Sequence, residues 1–298
     1  MDEEKSIKHL VVSGGGTYGL SAYGALRELS KNDFWDISNI KSCHATSIGT
    51  LVLVMILCKY EWDVLDDFII KRPWNSVFNF DISQLFEVFD RGGIFDRSVI
   101  FNALKPIFSG ADMDMNITMK EFYEKTGIEF YIYSVEINAF ELECISHKTY
   151  PHMPLLDACY TSCSLPILFK PLTFEKKSYI DGGIFLNYPI LECLNIMNAE
   201  PEEVLGIRKI INDKKPDSEM VQSFNLLEYV MYLVKNIMQK VNVDIDDKEN
   251  NYVNEIYIHM ESITFESISD FANSEEYRKK LITIGVEKAT EFLNKREK

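Results

Sequence analysis

Three groups of residues carry chemistry by type and spacing. Ser47 stands in Cys43-His44-Ala45-Thr46-Ser47-Ile48-Gly49. A β-branched run over residues 40–46 reads as a strand, and the apolar run 48–58 reads as a buried helix. A serine in a sharp strand-to-helix turn holds its hydroxyl above the sheet, the layout of a nucleophile. Small residues are needed two before and two after it, where the backbones approach. Gly49 and Ala45 meet that need, Ala45 in place of the usual glycine. The competing reading is a plain helix N-cap. The second group is Ser13-Gly14-Gly15-Gly16-Thr17-Tyr18-Gly19. Unhindered N–H groups there face negative charge, such as an oxyanion or a phosphate. Gly14, Gly16 and Gly19 also satisfy Gly-x-Gly-x-x-Gly, with Asp33 and Asp36 placed for a ribose, so a nucleotide-binding reading stays open. The third is Asp181-Gly182-Gly183, a carboxylate after a β-rich stretch, in position for a general base or for an ordinary turn.

Each group needs an element to hold it. Leu10-Val11-Val12 is a short strand running into the glycine loop, and a helix with Ala22, Leu26 and Leu29 on one face follows. Helices are expected over residues 62–71, from Asp96 to Leu104 with an end near Pro106, over 119–125 up to Gly127, and over 155–164. Residues 128–137 and 140–146 read as an antiparallel strand pair, and 204–211 and 254–259 as later strands. Residues 216–241 read as one long helix buried against the sheet, with Met220, Phe224, Leu227, Met231, Val234 and Met238 in a stripe that Leu226, Val230, Leu233 and Ile237 widen. Ser274 caps a closing helix with Ile282, Gly285 and Ala289 on one face. Residues 72–95, with Trp74, Phe78, Phe80, Phe86, Phe89 and Phe95, read as irregular core or as a lid hinged at Gly92-Gly93. Residues 244–249 read as a solvated loop that fails the calcium-loop template.

Composition bounds the partners. Acidic residues outnumber basic ones 46 to 31, for a net charge of −15. That argues against nucleic acid and against recruitment to anionic membranes by charge. Cys43, Cys58, Cys144, Cys159, Cys163 and Cys193 are expected to be reduced thiols, with no metal site and no cofactor. The first residues lack a signal-peptide pattern, and the longest apolar run, 51–58, is far short of the ~20 residues that span a bilayer. A cytoplasmic protein is the expectation.

The three groups, in order, resemble the patatin-like phospholipase family: Gly14-Gly15-Gly16-Thr17-Tyr18-Gly19, Ala45-Thr46-Ser47-Ile48-Gly49 and Asp181-Gly182-Gly183. The resemblance extends through Ala158-Cys159-Tyr160-Thr161-Ser162-Cys163-Ser164-Leu165-Pro166, Phe169-Lys170-Pro171 and Asn187-Tyr188-Pro189, and covers about residues 8–200. Tyr18 departs from it, standing where the family usually has Lys or Arg. The resemblance implies a three-layer α/β/α fold with a mainly parallel sheet, in one domain over residues 1–298, with 201–298 as its C-terminal extension. It implies a Ser–Asp dyad of Ser47 and Asp181, an oxyanion hole at Gly14, Gly15 and Gly16, and support from Ala45, Gly49, Gly19, Gly182 and Gly183. None of the five histidines sits in a triad-like motif, and alternation turns His44 to the face opposite the site. The implied partner is a membrane phospholipid or other acyl lipid met by transient peripheral contact. A neutral-lipid lipase or broad esterase, and an inert lipid-binding protein on this fold, are the alternatives.

Overall fold

A computed structural model describes residues 6–78, 92–212, 218–246 and 254–296. One sheet of eight strands organises them. Its strands are β1 (His9–Val12), β2 (Ser42–Thr46), β3 (Glu129–Glu136), β4 (Glu141–Ile145), β5 (Leu172–Phe174), β6 (Lys177–Asp181), β7 (Val204–Ile211) and β8 (Glu255–Met260). The path runs β5-β6-β3-β2-β1-β7-β8, and β4 pairs β3. Pairs β1–β2, β2–β3, β1–β7 and β7–β8 are parallel, whereas β4, β5 and β6 pair antiparallel. The mainly parallel sheet expected from sequence is therefore present, and residues after 200 supply two of its strands.

The helices are α1 (Gly19–Lys31), α2 (Ile48–Leu57), α3 (Trp62–Lys71), α4 (Ser98–Gly110), α5 (Met119–Thr126), α6 (Leu155–Cys163), α7 (Ile190–Met197), α8 (Ser218–Ser223), α9 (Leu226–Asp246), α10 (Phe265–Asn273) and α11 (Glu275–Arg296). Parallel strands are buried on both faces and need helices on both. Alternation along β1 shows the two layers. Leu10 and Val12 join the large core with residues of α1, α2, α6 and α11. Val11 joins Ile190 and Cys193 of α7 on the other face.

Three expectations are corrected. Residues 216–241 are not one buried helix: α8 and α9 are separate, and Leu226, Leu233, Ile237 and Val241 of α9 face solvent. A wide apolar stripe records that a helix has an apolar side, but not what that side meets. The helix ending near Pro106 instead runs to Gly110. Proline removes the N–H that would bond the carbonyl of Asn102, and the Arg72 guanidinium donates to that carbonyl (2.5 Å) and to that of Ala103. Helix α10 was unforeseen, because its start is a Thr264–Ser267 capping box without the usual acid. In the aromatic segment, Trp74, Phe78 and Phe95 pack with Phe169 and Phe271 in a satellite cluster. The rest of the expected lid, residues 79–91, lies outside the described residues, as do 247–249 of the acidic loop. The part of that loop before Asp246 continues α9.

The register on β3 brings the far parts of the chain together. Strand β2 ends with Thr46 opposite Tyr133. Strand β6 ends with Asp181 opposite Ser134, the next residue of β3. Strand β4 occupies the other edge over the same stretch, so β2 and β6 share one edge and meet end to end. Ser47, one residue past β2, and Asp181, the last residue of β6, meet at that junction.

Candidate active site

Ser47 sits at φ 52° and ψ −130°, a conformation that side-chain-bearing residues rarely adopt. Such strain persists only where the surroundings hold it. Its N–H donates to Ser162 Oγ on α6 (2.8 Å), and Ser162 Oγ donates to the Tyr133 carbonyl (2.5 Å). Thr50 Oγ1 donates to the Ser47 carbonyl (2.7 Å), and Thr46 Oγ1 to that of Leu186 (2.9 Å). Gly49 answers a close approach: a Cβ there would lie 2.6 Å from the Val12 carbonyl oxygen. Ala45 is fully buried in the main core, so its methyl is accommodated. Ser47 occupies the N-cap position of α2, but its side chain makes no capping bond there.

The Ser47 hydroxyl donates instead to Asp181 Oδ2 at 2.7 Å. Asp181 Oδ1 accepts from the Gly183 N–H at 2.7 Å, so both carboxylate oxygens are occupied. The Asp181 N–H bonds the Ser164 carbonyl (3.0 Å), which fixes the strand end beside α6. Asp181 is 3% exposed. Burial pushes its carboxyl up to about 6, against the Ser47 and Gly183 bonds, which pull it down. At neutral pH the group is mostly ionised, yet basic enough to take a proton.

The glycine loop lies against this pair: a Cβ on Gly14 would come within 3.0 Å of Ser47 Cβ. The three glycines are not equivalent. Gly14 N–H donates to the Asn187 carbonyl (3.0 Å), so Gly14 is corrected from donor to anchor. The N–H groups of Gly15 and Gly16 have no acceptor among the described residues. Their φ values, 155° and 63°, are ones that only glycine takes readily. Gly19 opens α1 against Ile48, and Gly182 opens the turn after β6. Tyr18 is wholly buried. His44 lies on the far face, stacked on Tyr131 and bonded to Tyr133 Oη (3.1 Å) and Ser42 Oγ (3.2 Å). Asp33 sits in an exposed turn, and the Asp36 side chain accepts from the Ser38 N–H (2.7 Å).

The roles of three residues here escaped the sequence reading. Ser162 holds the turn, as described. Lys209 on β7 donates from Nζ to the Gly15 carbonyl (3.3 Å). Asn242 on α9 donates to the Gly183 carbonyl (3.0 Å) and accepts from the Asn187 N–H (2.8 Å). Asn187 Nδ2 in turn donates to the Gly14 carbonyl (3.3 Å). The legible signals were a lysine inside an apolar strand and an asparagine on an apolar helix. No group of side chains suited to hold a metal ion occurs among the described residues.

Comparison with known proteins follows the same lines. A family model described as "Patatin-like phospholipase" matches residues 10–194. The chain is 24% identical over 233 residues to "Probable lipid hydrolase 463L" of Invertebrate iridescent virus 6, covering 76% of this chain and 78% of that protein. It is 25% identical over 219 residues to "Triacylglycerol lipase 4" of Saccharomyces cerevisiae, covering 64% of this chain but 23% of that protein. The crystal structure of VipD from Legionella pneumophila shares the fold, with a TM-score of 0.56, 15% identity, and coverage of 98% of this chain and 67% of that one.

Proposed function

The chain belongs to the patatin-like phospholipase family, whose matched segment spans Ser47 and Asp181, and on that premise we propose that it hydrolyses acyl esters of phospholipids or lysophospholipids through these two residues. The observation that carries the reading is the 2.7 Å bond between the strained Ser47 hydroxyl and buried Asp181. Asp181 takes the Ser47 proton as Oγ attacks the ester carbonyl carbon. The tetrahedral intermediate collapses, the C–O bond to the leaving alcohol breaks, and Asp181 returns the proton to that oxygen. Water then attacks acyl-Ser47, with Asp181 as base. Fatty acid leaves and the Ser47 hydroxyl is restored.

Gly15 and Gly16 are the proposed oxyanion donors. Lys209 supports that role. The Gly15 carbonyl it bonds belongs to the same peptide unit as the Gly16 N–H, so the ammonium polarises that N–H toward an anion. The cation that Tyr18 does not offer thus comes from β7.

The test compares Ser47→Ala and Asp181→Asn with the wild type for fatty-acid release from phosphatidylcholine vesicles. Each variant should be inactive and folded, and a fluorophosphonate probe should label wild type but not Ser47→Ala. Retained activity in either variant, or no labelling of wild type, overturns the dyad. The likeness to a triacylglycerol lipase favours a second substrate reading, neutral lipid. Faster release from triglyceride emulsions than from vesicles would select it.

A further inference from the structure

We propose that the outward face of α9 docks the protein onto a zwitterionic phospholipid surface, with Phe140 as a second exposed apolar contact. The proposal rests on the acyl-hydrolase reading and names where that substrate surface is met.

Helix α9 has its amphipathic pattern turned outward. Leu226, Tyr229, Leu233, Ile237 and Val241 recur at spacings of three and four and are all exposed, from 40% at Leu233 to 62% at Leu226. Lys235, Gln239 and Asn242 share the opposite side, where Asn242 is buried. A contiguous apolar face in water marks a contact surface rather than a core. A second exposed apolar side chain is linked to the helix through a shared cluster. Phe140, at the β3–β4 turn, is 56% exposed, and its ring packs edge-on against Phe185 at 4.9 Å. Phe185 and Met238 of α9 pack on one cluster with Val135, Ile180 and Ile184. Ile180 lies on β6, the strand that ends at Asp181.

The helix is also tied to the site. Asn242 joins the Gly183 carbonyl to the Asn187 N–H, and Asn187 holds Gly14. Both loops around Ser47 are thereby bonded to the helix that would meet the surface.

Charge selects the kind of surface. The stripe is uncharged, with Lys240 the exposed cation beside it. The chain carries −15, so anionic lipid offers it no net attraction. Tyr229 pairs an apolar ring with a polar tip, as interfacial side chains do. Among the described residues no helix is long and apolar enough to cross a membrane. Helix α9 therefore lies along the interface, with its apolar side buried among acyl chains.

The experiment is flotation with phosphatidylcholine vesicles, alone and with phosphatidylserine, for wild type, Leu233→Glu/Ile237→Glu, Phe140→Ser and Ser47→Ala. Wild type and Ser47→Ala should float equally, with no gain from phosphatidylserine. The double variant should partition roughly a hundredfold more weakly, and Phe140→Ser roughly tenfold. Release from vesicles should fall in step, while hydrolysis of a soluble short-chain ester stays within about twofold of wild type. Unchanged flotation of the double variant, or an equal loss on the soluble ester, overturns the proposal. So does a wild-type dimer that the double variant dissociates, which assigns the face to a second copy. A marked fall in the double variant's thermal midpoint overturns it too, by showing that the chain covers its own stripe. If wild type floats as expected but cleaves neither substrate, the hydrolase reading fails and the docking face stands. If wild type cleaves both and the double variant floats unchanged, the reverse holds.

Discussion

At Ser47 a strained backbone is held by hydrogen bonds from α6 and α2, and its surroundings are buried. Along α9 no described residue takes a positive φ, yet apolar side chains face water and one asparagine secures the helix to the loops. The first region trades backbone comfort for a fixed hydroxyl. The second leaves apolar surface uncovered and fixes little. A reacting atom must be placed to within a fraction of an ångström. A lipid surface is fluid and asks only for an apolar face of adequate area.

That contrast is breakable, and the largest effect belongs to the strained turn. Ser47→Ala should lower ester hydrolysis by about 10⁴-fold or more while the protein stays folded with only a modest change in thermal midpoint, because the reacting atom goes and the packing stays. Parallel assays of fatty-acid release and thermal unfolding check it. Next come two leucines in the same chemical substitution. Leu53→Ala on α2, fully buried, should cost about 2–5 kcal/mol in denaturant unfolding. Leu233→Ala on α9 should stay within about 0.5 kcal/mol. Equal costs would erase the distinction between the two regions.

The Asp181 carboxyl sharpens the comparison through pH. The proposed mechanism needs the carboxylate, so kcat/KM should fall about tenfold per unit as pH drops below about 6. For stability the sign is opposite. The folded pKa lies above the unfolded one, so the folded state binds the proton more tightly. The stabilisation is present below about pH 4 and is lost as pH rises through about 6. Asp181→Asn should then be more stable than wild type at pH 8, by up to about 3 kcal/mol, and equal to it near pH 4. Thermal melts across that range decide it.

Lys209→Met should lower kcat by about 10-fold with little change in KM, and Lys209→Arg should recover part of it, because one polarised donor is weakened and not removed. The smallest effect is expected at the tether. Asn242→Ala removes bonds to Gly183 and Asn187 and should slow turnover severalfold on soluble and vesicle substrates alike, through looser loops. Steady-state kinetics on both substrates measures these two.

Much of the site was legible because its parts are local. Small residues at 45 and 49 and the change from strand to helix period announce the Ser47 turn within a few residues. The glycine loop and the Asp-Gly-Gly turn are equally self-contained. Helix α3 and strand β7 fall where their sequence patterns put them: α3 buries one face, and β7, a continuous apolar run between two parallel neighbours, buries both. The failures share a cause. Helix α4 passes Pro106 because Arg72, 34 residues earlier, donates to the carbonyls of Asn102 and Ala103. Ser162, Lys209 and Asn242 belong to the site because other elements lie beside them in space.

The sequence by itself determined the candidate reactive groups, the turns that present them and the apolar sidedness of each helix. These follow from backbone sterics and side-chain periodicity within a few residues. Only the tertiary structure decided that Ser47 meets Asp181 across 134 residues, that Gly14 is an anchor, and which way α9 faces. Those outcomes depend on strand register and on what fills the space beside each element. Register on β3 is set by many pairings at once, so no local stretch of the chain contains it.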